Sequence, residues 1–186
     1  MIAIERTLAT FAIWCFVSLV FASPSSANNV MPQTLVDVAH ANGCNPIDEF
    51  FDERNPNITN PPYVLGWIPG DARDSAVFWC KKIEKSDKPY KLLFAAPATG
   101  GFNLADPKQL AGCPAVIEYS GYPTGLRIET QRDVQLRYFH PVTDIRPTAA
   151  LTGVVPTARV LVSDNGDGLE HHFLCYQGKW LTRALE

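Results

Sequence analysis

The chain has 186 residues, with 16 basic and 19 acidic side chains that leave a formal net charge of -3 at neutral pH. A mildly acidic chain lacks the basic surface that nucleic acids and anionic membranes require, so we expect neither as a partner. The densest basic stretch, residues 81–91, is interrupted by Glu84 and Asp87 and is typical of a solvated hairpin end.

An apolar stretch at residues 8–22 is followed by small residues, which is the pattern of a secretory signal peptide. It is shorter than the roughly 20 apolar residues of a comfortable membrane span. We expect a signal peptide of residues 1–27, cleaved after Ala27, with Ala22 as the second choice. Residues 28–186 then form a single secreted or periplasmic domain without a membrane span. The alternative is an uncleaved N-terminal anchor.

Four cysteines follow this leader, namely Cys44, Cys80, Cys113 and Cys175. Four cysteines allow three pairings, of which we favour Cys44–Cys80 and Cys113–Cys175. In a chain-entropy estimate each disulfide stabilises the fold by about 4 kcal/mol. A zinc site usually needs a closely spaced C-x-x-C pair, which the chain lacks, so we expect no metal and no other cofactor. Two disulfides indicate an oxidising compartment.

The first half begins with short helices and continues with strands. Pro32 and Gly43 bracket a predicted helix over residues 33–41, and Asn45 and Pro46 are typical of the start of a second short helix. Alternating apolar residues then predict extended segments over 63–67, 75–82 and 90–95. The Gly/Pro-rich residues 96–103 are expected to connect the two halves.

The second half is richer in strands. Asp106 caps a predicted short helix that ends by Gly112. Strands are predicted over 115–120, 125–131, 133–139, 159–163, 169–176 and 179–184. The alternation in 125–131 and 133–139 predicts a hairpin with one buried face. We therefore expect an α+β fold, predominantly antiparallel β, sandwich or barrel-like, with two or three short helices and two disulfides.

The two predicted disulfide loops resemble each other, because each joins a cysteine after a short helix to an aromatic-x-Cys strand. This similarity predicts two related halves, at about residues 41–95 and 109–186. The alternative is that disulfide-bearing strands commonly share such a pattern.

Four histidines are the first candidates for chemistry: His40, His140, His171 and His172. Adjacent residues of a strand point to opposite faces, so His171 and His172 cannot chelate one metal side by side. We expect one of this pair to be buried and hydrogen-bonded and the other to be partly exposed. His140 and His172 are the candidate binding histidines.

Catalytic motifs are otherwise missing from the chain, which has no H-E-x-x-H, no P-loop and no G-x-S-x-G. Ser120, His140 and Asp144 have the residue types of a hydrolase triad, without further support. The glycine-rich DNGDG at 164–168 departs from the calcium-loop spacing and is typical of a hairpin turn.

Aromatic side chains beside turns are the remaining candidates for recognition. Trp67 and Tyr122 lie next to Pro/Gly turns, where exposed aromatics suit sugar or protein binding. A core role for both is the alternative. Asn57 lies in a glycosylation sequon within a proline-flanked loop, and it matters only in a eukaryotic source.

The C-terminal pattern F-x-C followed by G-x-W-L, at 173–175 and 178–181, resembles the ending of small periplasmic β-barrel inhibitors of lysozyme. The resemblance covers only the last strand pair, and no residue roles are carried over from it. We expect a non-enzymatic binding protein, an inhibitor or immunity-type partner of another protein. The alternatives are a small secreted hydrolase that uses a histidine and a carbohydrate-binding module with a glycan partner.

Overall fold

The computed structural model describes residues 30–47, 63–67, 75–121, 123, 125–142, 151–164 and 169–185. Five sequence predictions lie outside these residues: the signal peptide, the Asn57 sequon, Tyr122, Asp144 and most of the DNGDG turn. The described chain is mostly antiparallel β-strand, with one α-helix and two 3₁₀ turns in place of two or three short helices. No helix among the described residues is long and apolar enough to cross a membrane.

The first sheet is antiparallel and carries the helix on one face. Its elements are α1 (Gln33–Ala41), β1 (Cys44–Pro46), β2 (Tyr63–Leu65), β3 (Ala76–Lys82), β4 (Tyr90–Ala98), β5 (Gly101–Leu104) and β6 (Val116–Tyr119). β3 and β4 form the central hairpin. β1 and β2 lie in tandem along the outer edge of β3, and β5 and β6 lie in the same way along β4.

The second sheet follows in the sequence and has the order β7-β9-β10-β11-β8. Its strands are β7 (Gly125–Gln135), β8 (His140–Pro141), β9 (Val154–Asp164), β10 (Glu170–Tyr176) and β11 (Lys179–Leu185). All its pairs are antiparallel, and β8 is a two-residue edge strand beside β11.

The two sheets pack face to face around an aromatic core. Trp79, Phe94 and Trp180 lie in this layer, and the Phe94 and Trp180 rings stack with their centroids 4.6 Å apart. Large buried aromatics supply most of the apolar area that such a core removes from water. A second cluster fills the space between α1 and the first sheet, and a third covers the outer face of the second sheet.

The two disulfides have the predicted pairing. Cys44–Cys80 joins the end of the α1 region to β3, and Cys113–Cys175 joins the segment before β6 to β10 of the second sheet. The second bond therefore connects the two sheets covalently.

Several local predictions are confirmed and several are wrong. The helix Gln33–Ala41 and the hairpins β3–β4 and β9–β10 are confirmed. Asn45 and Pro46 form β1 rather than the start of a helix, because they pair with Lys81 and Cys80 beside the disulfide. The expected connector at 96–103 is instead a tight hairpin, in which the end of β4 pairs with the start of β5 around a turn at residues 99–100. The boundary between the two sheets falls after β6, so it lies inside the predicted second half at residues 109–186. The internal duplication stays a prediction.

The predicted hairpin of 125–131 and 133–139 is also wrong. Residues Gly125–Gln135 form one strand, β7, which pairs with β9 along its length, and Leu136–Tyr138 form a 3₁₀ turn. Asp133 has a left-handed φ of 51° opposite Pro156, where the ladder is interrupted without reversing the chain. A tight reversal needs turn residues such as Asn-Gly, and Arg132-Asp133 does not supply them.

Candidate functional site

Trp67 is a core residue. Its side chain is only 5% exposed, and it packs against Phe94 and Trp180 with ring centroids 5.5 and 5.8 Å apart. The backbone carbonyl of Trp67 accepts a hydrogen bond from Arg159 Nη1 at 3.0 Å, which ties β9 to this corner. The expectation of an exposed aromatic at this position is therefore corrected, because Trp67 is buried in the core between the two sheets.

His172 lies on the outer face of the second sheet and is 2% exposed. Its Nε2 lies 2.9 Å from Glu170 Oε2, and its Nδ1 lies 3.1 Å from Gln131 Nε2 and 3.3 Å from Arg183 Nη2. Because Gln131 and Arg183 can only donate here, Nδ1 accepts and Nε2–H donates to Glu170. Both ring nitrogens are engaged, so His172 has a structural role. This confirms the prediction that one histidine of the pair is buried and hydrogen-bonded.

Arg127 extends this network towards solvent. Its guanidinium contacts Glu129 at 2.8 Å, Asp164 at 3.0 Å and Glu170 at 2.5 Å. The hydrogen bond from His172, followed by that from Arg127, lowers the pKa of Glu170 below its ordinary value. Hydrogen bonds from Gln131 and then Arg127 do the same for Glu129. The cluster holds three strands together at the end of the sheet, since β7, β9 and β10 each contribute a charged group.

His140 and His171 lie together in a groove between the two sheets. This cavity has a volume of about 480 Å³, and its walls come from the end of β6, from β8 and from the β10–β11 pair. It is lined by Lys88, Glu118, Tyr119, Ser120, Gly121, His140, Val142, Leu169, His171, Thr182 and Ala184. The structure thus separates the two candidate histidines, with His172 on the far face of β10 and His140 in the groove.

The groove continues along β6 into a second section of about 340 Å³. Lys88, Glu118 and Val142 line both sections, so the two form one elongated depression. We call it the β6–β8 groove after the edge strands that form its walls. The second section adds Pro114, Val116, Ile117, Pro141, Gly178, Lys179 and Trp180.

The charge of the β6–β8 groove is predominantly basic. Glu118 is the one carboxylate among the described lining residues, and it is paired with Lys82 at 2.7 Å. The hydrogen bond from Lys82 lowers the pKa of Glu118, with smaller contributions from Lys91 and Lys88. Lys88 and Lys179 add positive charge to the lining.

Tyr119 closes the groove towards the core. Its ring packs against Trp79 and Phe173 and meets the His171 ring edge-on at 5.8 Å. Burial raises the pKa of Tyr119 to about 12. Gly121 leaves room for this ring, because a Cβ there would lie 2.6 Å from the Tyr119 hydroxyl. This wall of the groove is therefore fixed by packing.

The protonation of His171 should make stability depend on pH. Burial, and then repulsion from His172 and His140, lowers the pKa of His171 below its ordinary value of 6.5. In the unfolded chain this histidine takes up a proton near pH 6.5, whereas the folded protein takes it up only at lower pH. The stabilisation is therefore complete above about pH 6.5 and is lost as the pH falls from there through the lower pKa of the folded protein. The lowered carboxylate pKa values extend the loss below about pH 4.5.

Urea denaturation between pH 7.5 and 5.5 checks this expectation. The free energy of unfolding should fall over this interval in the wild type and should fall less in a His171→Gln variant. Equal slopes for the two proteins would contradict the assignment to His171.

The sequence singled out His140 and Ser120 among the groove residues but did not identify its charged residues. Lys88, Glu118 and Lys179 come from three different turns or strand edges, so their proximity depends on how the sheets pack. The alternation that places His171 on the core side of β10 was the single local signal.

A further cavity of about 590 Å³ lies beside Trp67 and Cys175, with a mostly apolar lining from β9 and the Pro107–Leu110 turn.

Comparison with family models, curated proteins and solved structures found no match to this chain. Among the described residues, no three His, Cys, Asp or Glu side chains are placed to hold one metal ion.

Proposed function

We propose that this chain is a secreted or periplasmic, disulfide-stabilised binding protein that engages another protein as an inhibitor or immunity-type partner. The observation that carries this proposal is the β6–β8 groove, an elongated depression between two sheets with a fixed wall and a basic lining. Rigid surfaces favour binding because little conformational entropy is lost when a partner docks.

The state of the histidines supports binding over catalysis. His172 uses both ring nitrogens in structural hydrogen bonds, so it has no free nitrogen to accept a substrate proton. His140 is exposed and lines the groove together with Lys88 and Thr182. Such a lining suits hydrogen bonds and charge pairs with a partner.

The proposed location rests on the leader pattern and on the disulfides. Two disulfides are compatible with an extracellular or periplasmic location, because thiols stay reduced in most cytosols.

A groove-filling substitution tests the proposed function. We expect immobilised wild-type protein to capture a defined partner from secreted or envelope proteins of the source. A His140→Trp variant should lose that partner, because the indole occupies the groove. His40→Trp is the matched control, since His40 is also exposed but lies on α1, on the other face of the first sheet. Capture that is equal with both variants would sink the proposal.

A hydrolase is the second candidate, because Ser120 and His140 line the same cavity. It predicts ester hydrolysis that rises with pH and disappears in both Ser120→Ala and His140→Ala. An unchanged rate in either variant would remove this candidate. The burial of Trp67 removes one of the two aromatics expected for a carbohydrate-binding module, and the other, Tyr122, lies outside the described residues.

A further inference from the structure

We propose that the β6–β8 groove binds an extended, acidic segment of the partner protein, which adds to β6 as a further strand of the first sheet. This inference rests on the proposed function and names the class of ligand. It follows from the hydrogen-bonding edge of β6, from a difference between the two walls, and from the charge of the groove.

The edge of β6 offers backbone groups in an alternating pattern. The carbonyl of Ala115 accepts a hydrogen bond from the Phe94 amide, and Ile117 pairs with Leu92, so the odd-numbered residues face β4. In an antiparallel pair the residues between them point the other way. The N–H and C=O groups of Val116 and Glu118 therefore face away from β4, towards the groove side. Among the described strands, β4 is the only one that pairs with β6.

The opposite wall of the groove, formed by β8, is less able to pair with an added strand. The Val142 amide donates to the Trp180 carbonyl, which places Pro141 at the outward position of β8. Proline has no N–H and blunts a sheet edge against further pairing. The extended segment of the partner protein, called the guest strand below, would therefore hydrogen-bond to β6. Its side chains would contact His140 and Val142 on the opposite wall of the groove.

The basic charge of the groove favours a guest strand with acidic side chains. Lys88 and Lys179 line its two sections, whereas its carboxylate, Glu118, is neutralised by Lys82 at 2.7 Å. Asp or Glu side chains on alternate residues of the guest strand would pair with these lysines. Main-chain hydrogen bonds would supply affinity and these charge pairs would supply selectivity.

The edge of β6 is also ordered before the guest strand binds. β6 is paired with β4 from Val116 to Tyr119, and the Tyr119 ring is fixed by Trp79 and Phe173. Because the strand is already extended and ordered, most of the ordering entropy on binding is that of the guest alone.

The test uses a blocked octapeptide of alternating Thr and Glu, its counterpart with Lys for Glu, and a Thr/Glu version with every amide N-methylated. The whole mature protein is used, and binding is measured by calorimetry and by NMR shifts of the Val116 and Glu118 amides. The Glu peptide should bind, and the Lys and N-methylated peptides should bind at least about tenfold more weakly.

Two variants isolate the backbone edge. Glu118→Pro removes the outward N–H of β6 without removing a hydrogen bond to β4, whereas Glu118→Ala removes the same ion pair with Lys82 and keeps the N–H. Both changes free Lys82, so we expect Glu118→Ala to bind the Glu peptide at least as tightly as the wild type, and Glu118→Pro to bind it about tenfold or more weakly than Glu118→Ala. The N-methylated peptide gives the same information on the wild-type protein if Glu118→Pro folds poorly.

The outcomes separate this inference from the proposed function. Equal binding by both variants and by the N-methylated peptide would overturn strand addition while groove binding stood. Equal binding of the Lys peptide would overturn the acidic class of ligand. No binding of the Glu peptide would overturn the whole inference, whereas the proposed function would still be decided by partner capture with His140→Trp and His40→Trp.

Discussion

Replacing both Cys113 and Cys175 by alanine is expected to lower the free energy of unfolding by about 4 kcal/mol. The two residues lie 62 positions apart, so the disulfide removes a large loop-closure entropy from the unfolded chain. It also joins the segment before β6 to β10 in the second sheet, across the aromatic core. The free energy of unfolding is measured by guanidinium denaturation under non-reducing conditions.

The Cys44→Ala/Cys80→Ala protein is the matched comparison. Its loop spans 36 residues, so it should lose a similar free energy, again about 4 kcal/mol. This bond lies on the helix side of the first sheet, so its loss should leave peptide binding in the β6–β8 groove unchanged. Loss of Cys113–Cys175 frees β6 from the second sheet and should weaken that binding. Equal effects of the two changes on binding would show that the inter-sheet bond does not position the groove.

Replacing His172 by alanine is expected to destabilise the protein by about 3 kcal/mol. The change removes the hydrogen bond to Glu170 and the contacts with Gln131 and Arg183. Glu170 then keeps only its contact with Arg127. Arg183 loses its contact with His172, and its Nε already lacks a hydrogen bond among the described residues. Partly buried charges that lose their partners account for most of the expected cost.

Two further variants show where the cost of the His172 change comes from. His172→Phe keeps most of the volume and removes the hydrogen bonds, so it should recover only the packing part of the loss. His171→Ala removes the neighbouring ring on the opposite face, which is half-buried, and should cost about 1 kcal/mol. Urea denaturation at pH 7.5 compares the three proteins. A loss from His171→Ala as large as that from His172→Ala would contradict the structural role of His172.

Much of the local structure could be predicted from the sequence because it depends on local patterns. Pro32 and Gly43 bracket α1, and the alternation in 75–82 and 90–95 specifies β3 and β4. The same period of two placed His171 and His172 on opposite faces of β10, which proved right. The disulfide pairing was also right, although the sequence favoured it only among three possibilities.

The predictions that failed depend on contacts between distant residues. Asn45 and Pro46 have the residue types of a helix start, yet they form a strand because Cys44 is held against Cys80. β7 was expected to turn near residue 132, whereas β9 pairs with it over its whole length. Trp67 looked exposed because it lies beside a Gly/Pro turn, and it is buried because two aromatic rings from different sheets close over it.

The groove could not be predicted for the same reason. Its lysines, histidines and Glu118 belong to separate segments, of which Lys88 and Lys179 lie 91 positions apart, and no spacing rule brings them together. The position of β6 is decisive, since its pairing with β4 rather than with a neighbour in sequence leaves its other edge at the groove.

Each sheet is built from one stretch of the chain, since the strands of the first lie between Cys44 and Tyr119 and those of the second between Gly125 and Leu185. A chain that emerges from its N-terminus can therefore complete the first sheet before the second is available. Cys44 and Cys80 can then pair before Cys175, the partner of Cys113 in the second sheet, is available. We therefore expect the Cys44–Cys80 bond to form before the bond that joins the two sheets.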